Sequence, residues 1–522
     1  MKMMKKVLAA LLACLIVMSM AACAAKSDQT AKPDTAQTDA DQPVPNAEDT
    51  QTPNAEAGDA PVSNDEADLT SWILEPDTNM AGAVRFWIPF KGEQGMDAMI
   101  AAFNEVYPNI TVELNTYNNN AEGNMAVNTS IMAGEVDVLA SFEISQAYTR
   151  WQNGMYMDLT DKLSADGIDL VANWGTDNYK YDNKVYSLPC GGISYYVAIN
   201  KTAWDEAGLG EIPTAWTWDE YLAASEAMTQ KDASGKTTRY GGSNFQVIGD
   251  ILNVVYQVNG KNRFYNEDGT SSFNSDLVKE TVARNIKAEN EDGIWFPLVT
   301  YRADNNKTWF TYMDGTVAST VINNIPRFIR DTEKYPLDFI TTFAPYPTVE
   351  AGQTNYMSGV NYFSFAGITN GCQDEAAAWA FLKWYSTYGS KYLALAGHQS
   401  TWRGTQADDL VALTFGSEEN AAKIIDVEAY KRVVGATENP SAIDTDTTAY
   451  TEVSAIWDEY VMYAYNGQMT IDEALDEAAT QANAAIKAAK YRGSARRAKG
   501  LIQTKTSLPN TSPLFGDEDA RK

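Results

Sequence analysis

Three short runs near residue 100 constrain this chain more than any others: Ala83–Phe90 (Ala-Val-Arg-Phe-Trp-Ile-Pro-Phe), an apolar set at Met96, Met99, Ile100, Phe103 and Tyr107, and the alternation Ile110, Val112, Leu114. The first is β-branched and aromatic and is closed by Pro89 and the Lys91-Gly92 turn, so it reads as a strand. The second has helical spacing and stops at Pro108-Asn109, and the third alternates as a strand does. Strand, helix, strand with short links is a βαβ unit. A further apolar run, Val136-Asp137-Val138-Leu139, and a helix-like stretch through Tyr148 and Trp151 continue the pattern. The expectation is an α/β fold, a parallel sheet with helices on both faces.

Further along, Val185–Pro189 leads into the extended run Tyr195–Asn200, and Thr217 with Glu220 three residues later has the form of a capping box at a helix start. A strand at Ser319–Ile322 follows, then an amphipathic helix carrying Ala378, Phe381, Leu382 and Tyr385, and a last helix from Thr470 to about Ala489.

The two ends differ from this body. Lys2, Lys5 and Lys6 precede an apolar stretch, Val7–Met20, that is short for a membrane span, and Met20-Ala21-Ala22-Cys23 resembles a lipobox with Met in place of Leu. That resemblance implies a signal peptide over 1–22, lipidation of Cys23 and a membrane anchor of acyl chains; a plain secretory signal cleaved near Ala22 is the alternative. Residues 23–70 carry almost no large apolar side chain and read as a disordered tether. Lys487–Arg497 is basic, Leu501–Lys522 is polar with prolines, and 491–522 reads as a disordered extension, a solvated tail in preference to a patch on anionic lipid.

A formal net charge of −29 argues against nucleic acid as a partner. Cys190 and Cys372, the cysteines of the folded part, have no Cys or His at ligand spacing, so no metal or cofactor is expected; a disulfide between them and two free thiols are both open. His398 is the only histidine, which disfavours a histidine-based triad and suggests a surface or capping role.

Several segments occur in an order that resembles a known family: Phe103–Val112, Gly134–Val138, Asn153–Thr160, Lys184–Pro189, Ile199–Lys201 before Ala207-Gly208-Leu209, Pro213–Glu220 and Met469–Leu475. Together they resemble the extracellular solute-binding proteins of bacterial ATP-binding-cassette importers, in particular the carbohydrate-binding family that includes the maltose-binding protein. The resemblance implies a two-lobed periplasmic-binding-protein-like fold with a hinge and an interlobe cleft. Lobe one would take 83–193 and 356–402, and lobe two 194–347 and 403–490. It implies cleft positions at Trp87, Lys91, Glu143, Phe245, Gln246, Asn323, Asn324 and Trp457; Trp402 and Arg403 are added because they lie at a lobe crossing. Trp87 also suits strand core, Glu143 a helix cap and Trp457 a helix face. The family's maltose-binding member has a cleft glutamate just before its lobe crossing where this chain has Ile193, which speaks against maltose itself.

These features lead to a monomeric, non-enzymatic binder, with no catalytic residues, that captures a carbohydrate and hands it to a membrane permease. A secreted glycoside-active enzyme would need a carboxylate pair at the cleft, and a receptor serving a sensor kinase would share the binder's features. The sequence names neither the sugar nor its linkage or length.

Overall fold

The structure, a computed structural model, describes residues 77–506 apart from 245–247, 304–306, 436–439, 443, 445 and 447. The expected signal peptide, Cys23, the tether, Phe245 and Gln246 lie outside the described residues.

The expected βαβ start is present. Strand β1 (Gly82–Ile88), helix α1 (Met96–Val106), strand β2 (Ile110–Thr116), helix α2 (Ala121–Met132), strand β3 (Val138–Phe142), helix α3 (Ile144–Gln152) and strand β4 (Leu188–Ile193) follow in order. β1 pairs in parallel with β2, from Gly82 opposite Ile110 to Ile88 opposite Thr116, and in parallel with β3. Alternation along β1 sends Val84, Phe86 and Ile88 into one core, with Met99, Phe103, Phe381 and Tyr385. Leu139 and Phe365 join Val127, Ile131 and Trp151 on the opposite face, so helices cover both faces as a mostly parallel sheet requires. The Arg85 guanidinium donates to both oxygens of Asp137 (2.9 and 2.7 Å), and Asp137 also accepts from the Arg85 and Gln373 backbone N–H groups. These bonds hold the Asp137 carboxyl below the usual range despite the opposing effect of burial, and they pin the entry to β3.

The chain then builds a second sheet. Strand β5 (Tyr196–Asn200) is flanked by β6 (Ser319–Ile322) and β7 (Thr341–Pro345), both antiparallel to it. Helix α4 (Trp218–Met228) starts at the expected capping box: Glu220 N–H donates to the Thr217 hydroxyl at 3.3 Å, and the Glu220 carboxylate accepts Thr217 N–H at 2.7 Å. Helices α5 (Asn253–Asn259) and α6 (Asp276–Ile286) pack in the same core. The chain returns to the first sheet as β8 (Asn361–Ile368), antiparallel to β3 and β4, giving the order β2-β1-β3-β8-β4. An antiparallel return strand departs from the all-parallel expectation. Helix α7 (Glu375–Ser386) covers the first sheet, and α8 (Tyr450–Tyr465) and α9 (Ile471–Thr506) complete the second core.

The sheets are joined where β4 runs into β5, between β7 and β8, and near residues 397–405. Gln399 ties two of these passages: its backbone exchanges both hydrogen bonds with Gly192 at 2.9 Å, and its amide bonds Ser194 N–H (2.7 Å), Ser194 Oγ (2.6 Å) and Val434 O (3.1 Å). A Cβ on Gly192 would lie 2.5 Å from Asn361 O, so only glycine allows this approach.

One point left open is decided here, and one expectation is corrected. Cys190 and Cys372 are free thiols, not a bridge. Residues 491–506, expected as unstructured, continue α9 as helix. Half of the segment is Ala, Lys, Arg and Gln, good helix formers set against Gly493 and Gly500, and it propagates from a turn already nucleated against the core.

Candidate functional site

Glu143 caps β3 in an uncommon backbone state, φ 71° and ψ 130°, with its N–H donating to Phe363 O at 2.8 Å. A non-glycine residue with positive φ is worth tracing to a cause. The side chain makes no cap bond to α3, so the helix-cap reading does not hold. It keeps accessible area, yet surrounding protein desolvates the carboxyl and raises its pKa, while Arg263 works in the opposite direction. Glu143 belongs to the first sheet and Arg263 to the second core's surroundings, so their fields meet between the lobes.

Arg263 is the centre of the opposing wall. Its guanidinium donates to Asp250 Oδ1 (3.3 Å), Asn253 Oδ1 (3.4 Å) and the Tyr450 hydroxyl (3.2 Å), and lies over the rings of Phe264 (5.0 Å) and Tyr256 (5.7 Å). Tyr195 donates to the same Asp250 oxygen at 3.1 Å. Burial works to lower the Arg263 pKa, but Tyr450, Tyr256, Asp250 and Asp444 outweigh it and hold the cation above its ordinary value. Burial raises the Asp250 and Asp444 carboxyls, with Arg263 opposing in each case. The Asp444 charge also reaches Tyr179 of the first lobe, whose ring packs 4.7 Å from Phe365 and 5.1 Å from Tyr362. The arrangement offers a fixed cation, carboxylates and tyrosine rings on facing surfaces, a donor and acceptor set able to hold a polyhydroxylated molecule.

The residues expected from sequence fall in different places. Trp87 is half-buried and packs against the core cluster that includes Leu139 and Trp151, and its indole N–H has no hydrogen-bond partner among the described residues. The same is true of core Trp151 and Trp295, so an orphaned N–H alone does not mark a site. Lys91 is exposed in the turn after β1. Asn323 and Asn324 are half-buried after β6, where Asn324 and Arg327 crowd Gly397 and Arg327 donates to Ala396 O at 3.2 Å.

Two of the expected tryptophans are taken up by core packing, and Arg403 lies at the surface, where its charge reaches Tyr362. Trp402 is 3% exposed in the first core, with its indole N–H on Asn173 Oδ1 at 3.0 Å. Arg403 is exposed and bonds back to Asn173 O and Val171 O. Trp457 is 0% exposed, 5.0 Å from the Phe273 ring. For Trp402 and Trp457 the residue type suited a ligand platform but core packing takes precedence, whereas the bonds of Arg403 run from the lobe-two stretch to lobe one. His398 also departs from the surface reading: it stacks on Phe363 at 5.8 Å and lies 5.1 Å from Phe90 and 5.6 Å from Phe142. Burial, with Arg327 nearby, pushes its pKa down to about 3, so it is a neutral aromatic partner.

Sequence reasoning missed Tyr195, Asp250, Tyr256, Arg263, Asp444 and Tyr450. The one available signal was Asn262-Arg263-Phe264-Tyr265, an arginine set among aromatics. Among the described residues no group of His, Cys, Asp and Glu could hold a metal ion, and no helix is long and apolar enough to cross a membrane.

Comparison with known proteins bears on this arrangement. The model of a family described as bacterial extracellular solute-binding protein matches residues 89–392. A multiple sugar-binding protein of Streptococcus mutans is 23% identical over 214 residues, 38% of this chain and 49% of that protein, so the chain spans about half the length of this curated relative. Among solved structures, a sugar transporter protein from Rhizobium etli in an open conformation is similar with a TM-score of 0.61 and 15% identity, covering 78% of this chain and 99% of its own. A Listeria monocytogenes substrate-binding protein in complex with cycloalternan is similar at 0.59 and 19%, covering 78% and 100%. A maltose-bound protein from T. maritima is similar at 0.56 and 17%, covering 77% and 98%. At these identities the likeness carries the two-lobed fold and nothing finer.

Proposed function

The chain belongs to the bacterial extracellular solute-binding protein family, and on that premise we propose that it captures a carbohydrate between its lobes and presents it to the permease of an ABC importer, without chemistry on the ligand. Its boundaries would be those expected from the landmarks, with lobe one at 83–193 and 356–402 and lobe two at 194–347 and 403–490. A monomer anchored outside the membrane through lipidated Cys23 completes the reading.

One observation carries the proposal: Glu143 of one lobe and Arg263 of the other interact through space, among tyrosine rings from both sides. A sugar presents apolar C–H faces and a rim of hydroxyls, so it is held by aromatic faces together with carboxylate and guanidinium groups. A ligand touching both walls favours the closed arrangement over the open one by its differential contacts, which is the quantity a permease can read. The S. mutans relative and the cycloalternan and maltose complexes support a carbohydrate, and cycloalternan an oligosaccharide.

The test is a thermal-shift screen of the full chain over neutral oligosaccharides, polyols and short peptides, followed by chromatography of the bound ligand. A bound oligosaccharide raises the melting temperature by mass action and is recovered intact. A shift with peptides alone would overturn the carbohydrate assignment, and recovery of shortened sugars would overturn the absence of chemistry.

A further inference from the structure

We propose that the C-terminal part of α9 is a docking element for anionic lipid headgroups, bringing the lobe-two end of the molecule to the membrane surface. Among the described side chains of α9 the core contacts end at Ile486; Lys487, Lys490 and Tyr491 are exposed. The helix nevertheless continues to Thr506. Twenty residues of helix extend about 30 Å, so the segment reaches well past the last core contact.

Charge is distributed along this segment in a way found nowhere else in the chain. From Lys487 to Lys505 there are seven Lys and Arg residues, at 487, 490, 492, 496, 497, 499 and 505, and no acidic residue occurs between Glu477 and Asp517. This cationic helix belongs to a chain of formal net charge −29. A protein so acidic is repelled as a whole by an anionic surface, but the Debye length at physiological salt is about 8 Å, and a projecting segment of roughly 30 Å escapes most of that repulsion. Each cation near an anionic leaflet contributes attraction that adds over the segment.

The base of the segment also carries a concavity. A cavity of about 530 Å³ is lined by Gly269, Thr270, Asn483, Lys487 and Lys490, with Asp268 on its wall. Asp268 accepts from Thr270 N–H (2.9 Å) and the Thr270 hydroxyl (2.6 Å) through one oxygen, Oδ1, and its charge is also felt by Lys490, so this carboxylate offsets part of the cationic field at the base of the segment. Asn483 uses its carbonyl oxygen on Ser271 N–H at 2.8 Å, which leaves its amide N–H groups as donors. Lys487 makes no ion pair among the described residues and borders the same cavity, a setting suited to a phosphate-bearing headgroup. A nucleic acid would meet the same cations, but the family is extracellular, and a lipid leaflet is the polyanion present at that location.

The experiment uses the full chain carrying Cys23→Ser, so that no acyl anchor contributes, against the same chain with Lys487, Lys490, Arg492, Arg496, Arg497 and Lys499 all changed to Gln. Both are sedimented with vesicles of phosphatidylcholine alone or with about a third phosphatidylglycerol. The parent is expected to prefer anionic vesicles by about tenfold or more, to lose that preference as salt rises to about 0.5 M, and to lose it in the glutamine variant. A chain ending after Lys490, which retains every core contact of α9, should behave like the variant, and equal melting temperatures exclude unfolding as the cause. Equal binding to both vesicle types, or retention of the preference in the variant and the shortened chain, would overturn the proposal. So would equally tight capture by a soluble nucleic acid, which would assign the cations to polyanions in general.

Discussion

The two walls that face each other across the lobes are built on different principles. On the first lobe, Phe90, Phe142, Phe363 and His398 gather at neighbouring strand ends and hold one another by ring contacts, with a single carboxylate, Glu143, at their edge. On the second, Arg263 is held by Asp250, Asn253 and Tyr450, and Asp250 accepts in addition from Tyr195. An apolar wall degrades gradually as atoms are removed, whereas a charged wall fails when one partner leaves, because the other remains desolvated. The charged wall should therefore be the sensitive one.

That difference is broken or sharpened first in lobe two. Arg263→Met leaves Asp250, 6% exposed, without its cation, and we expect a loss of about 3–5 kcal/mol in denaturant unfolding. Adding Asp250→Asn should restore most of that loss. If Arg263→Met alone costs under about 1 kcal/mol, the network is not what organises this wall. Trp457→Ala should cost a similar amount, about 3–5 kcal/mol, for a different reason: it empties a fully buried site beside Phe273. Its effect should appear in stability, and an unchanged midpoint would contradict its core placement.

Titration separates the lobes next. Burial raises Glu289, 4% exposed and beside Leu298 N–H, to about 8. Between the ordinary glutamate value and about 8 the native state keeps a proton that the unfolded chain has lost, so this group's stabilisation fades as pH rises through that window. His398 acts in reverse. With its pKa at about 3, the unfolded chain takes up a proton between about 6.5 and 3 that the native state refuses, so stability falls as pH falls. At about 1.4 kcal/mol per pH unit, each limb should amount to at most about 5 kcal/mol. Stability curves at stepped pH should lose the alkaline limb in Glu289→Gln and the acid limb in His398→Gln. Curves that stay parallel to the parent would remove these groups from the account.

The same contrast explains what could be read from sequence. Val84, Phe86 and Ile88, then Met99 and Phe103, then Ile110 declare lobe one because each pattern is local and its partners follow within a few dozen residues. The return of β8 is invisible, since nothing in Asn361–Ile368 states that it runs antiparallel between β3 and β4. Arg263 is hidden for a related reason: Asp250 is 13 residues away, but Tyr450 is 187 away, and only the fold brings them together. Trp457 was expected in the cleft from the family resemblance and Trp402 from its place at a lobe crossing, yet neither says which side of a helix or loop meets the core. Glu143 was legible as a loop position after β3, while its positive φ was not. The helix beyond about Ala489 was missed because it lacks an apolar stripe, and helix propensity without periodicity is a weak sequence signal.

The smallest effect concerns Trp87, which tests whether the aromatic wall contributes to binding at all. Its ring packs against the core cluster that includes Leu139 and Trp151 and is only half-buried, so part of it remains available to a ligand. If a sugar face covers that part, Trp87→Ala should weaken affinity by about 1–3 kcal/mol, the scale for covering a large apolar side chain. Glu143→Gln, measured alongside by calorimetry with the best ligand of the screen, should weaken binding too, because a neutral amide replaces a desolvated carboxylate as acceptor. Stability and affinity are read separately on the same variants, since Trp87 also touches the core. Should Trp87→Ala lower the melting temperature while affinity stays at the parental value, the ring is core, and ligand recognition shifts to the Arg263 wall and the tyrosines around it.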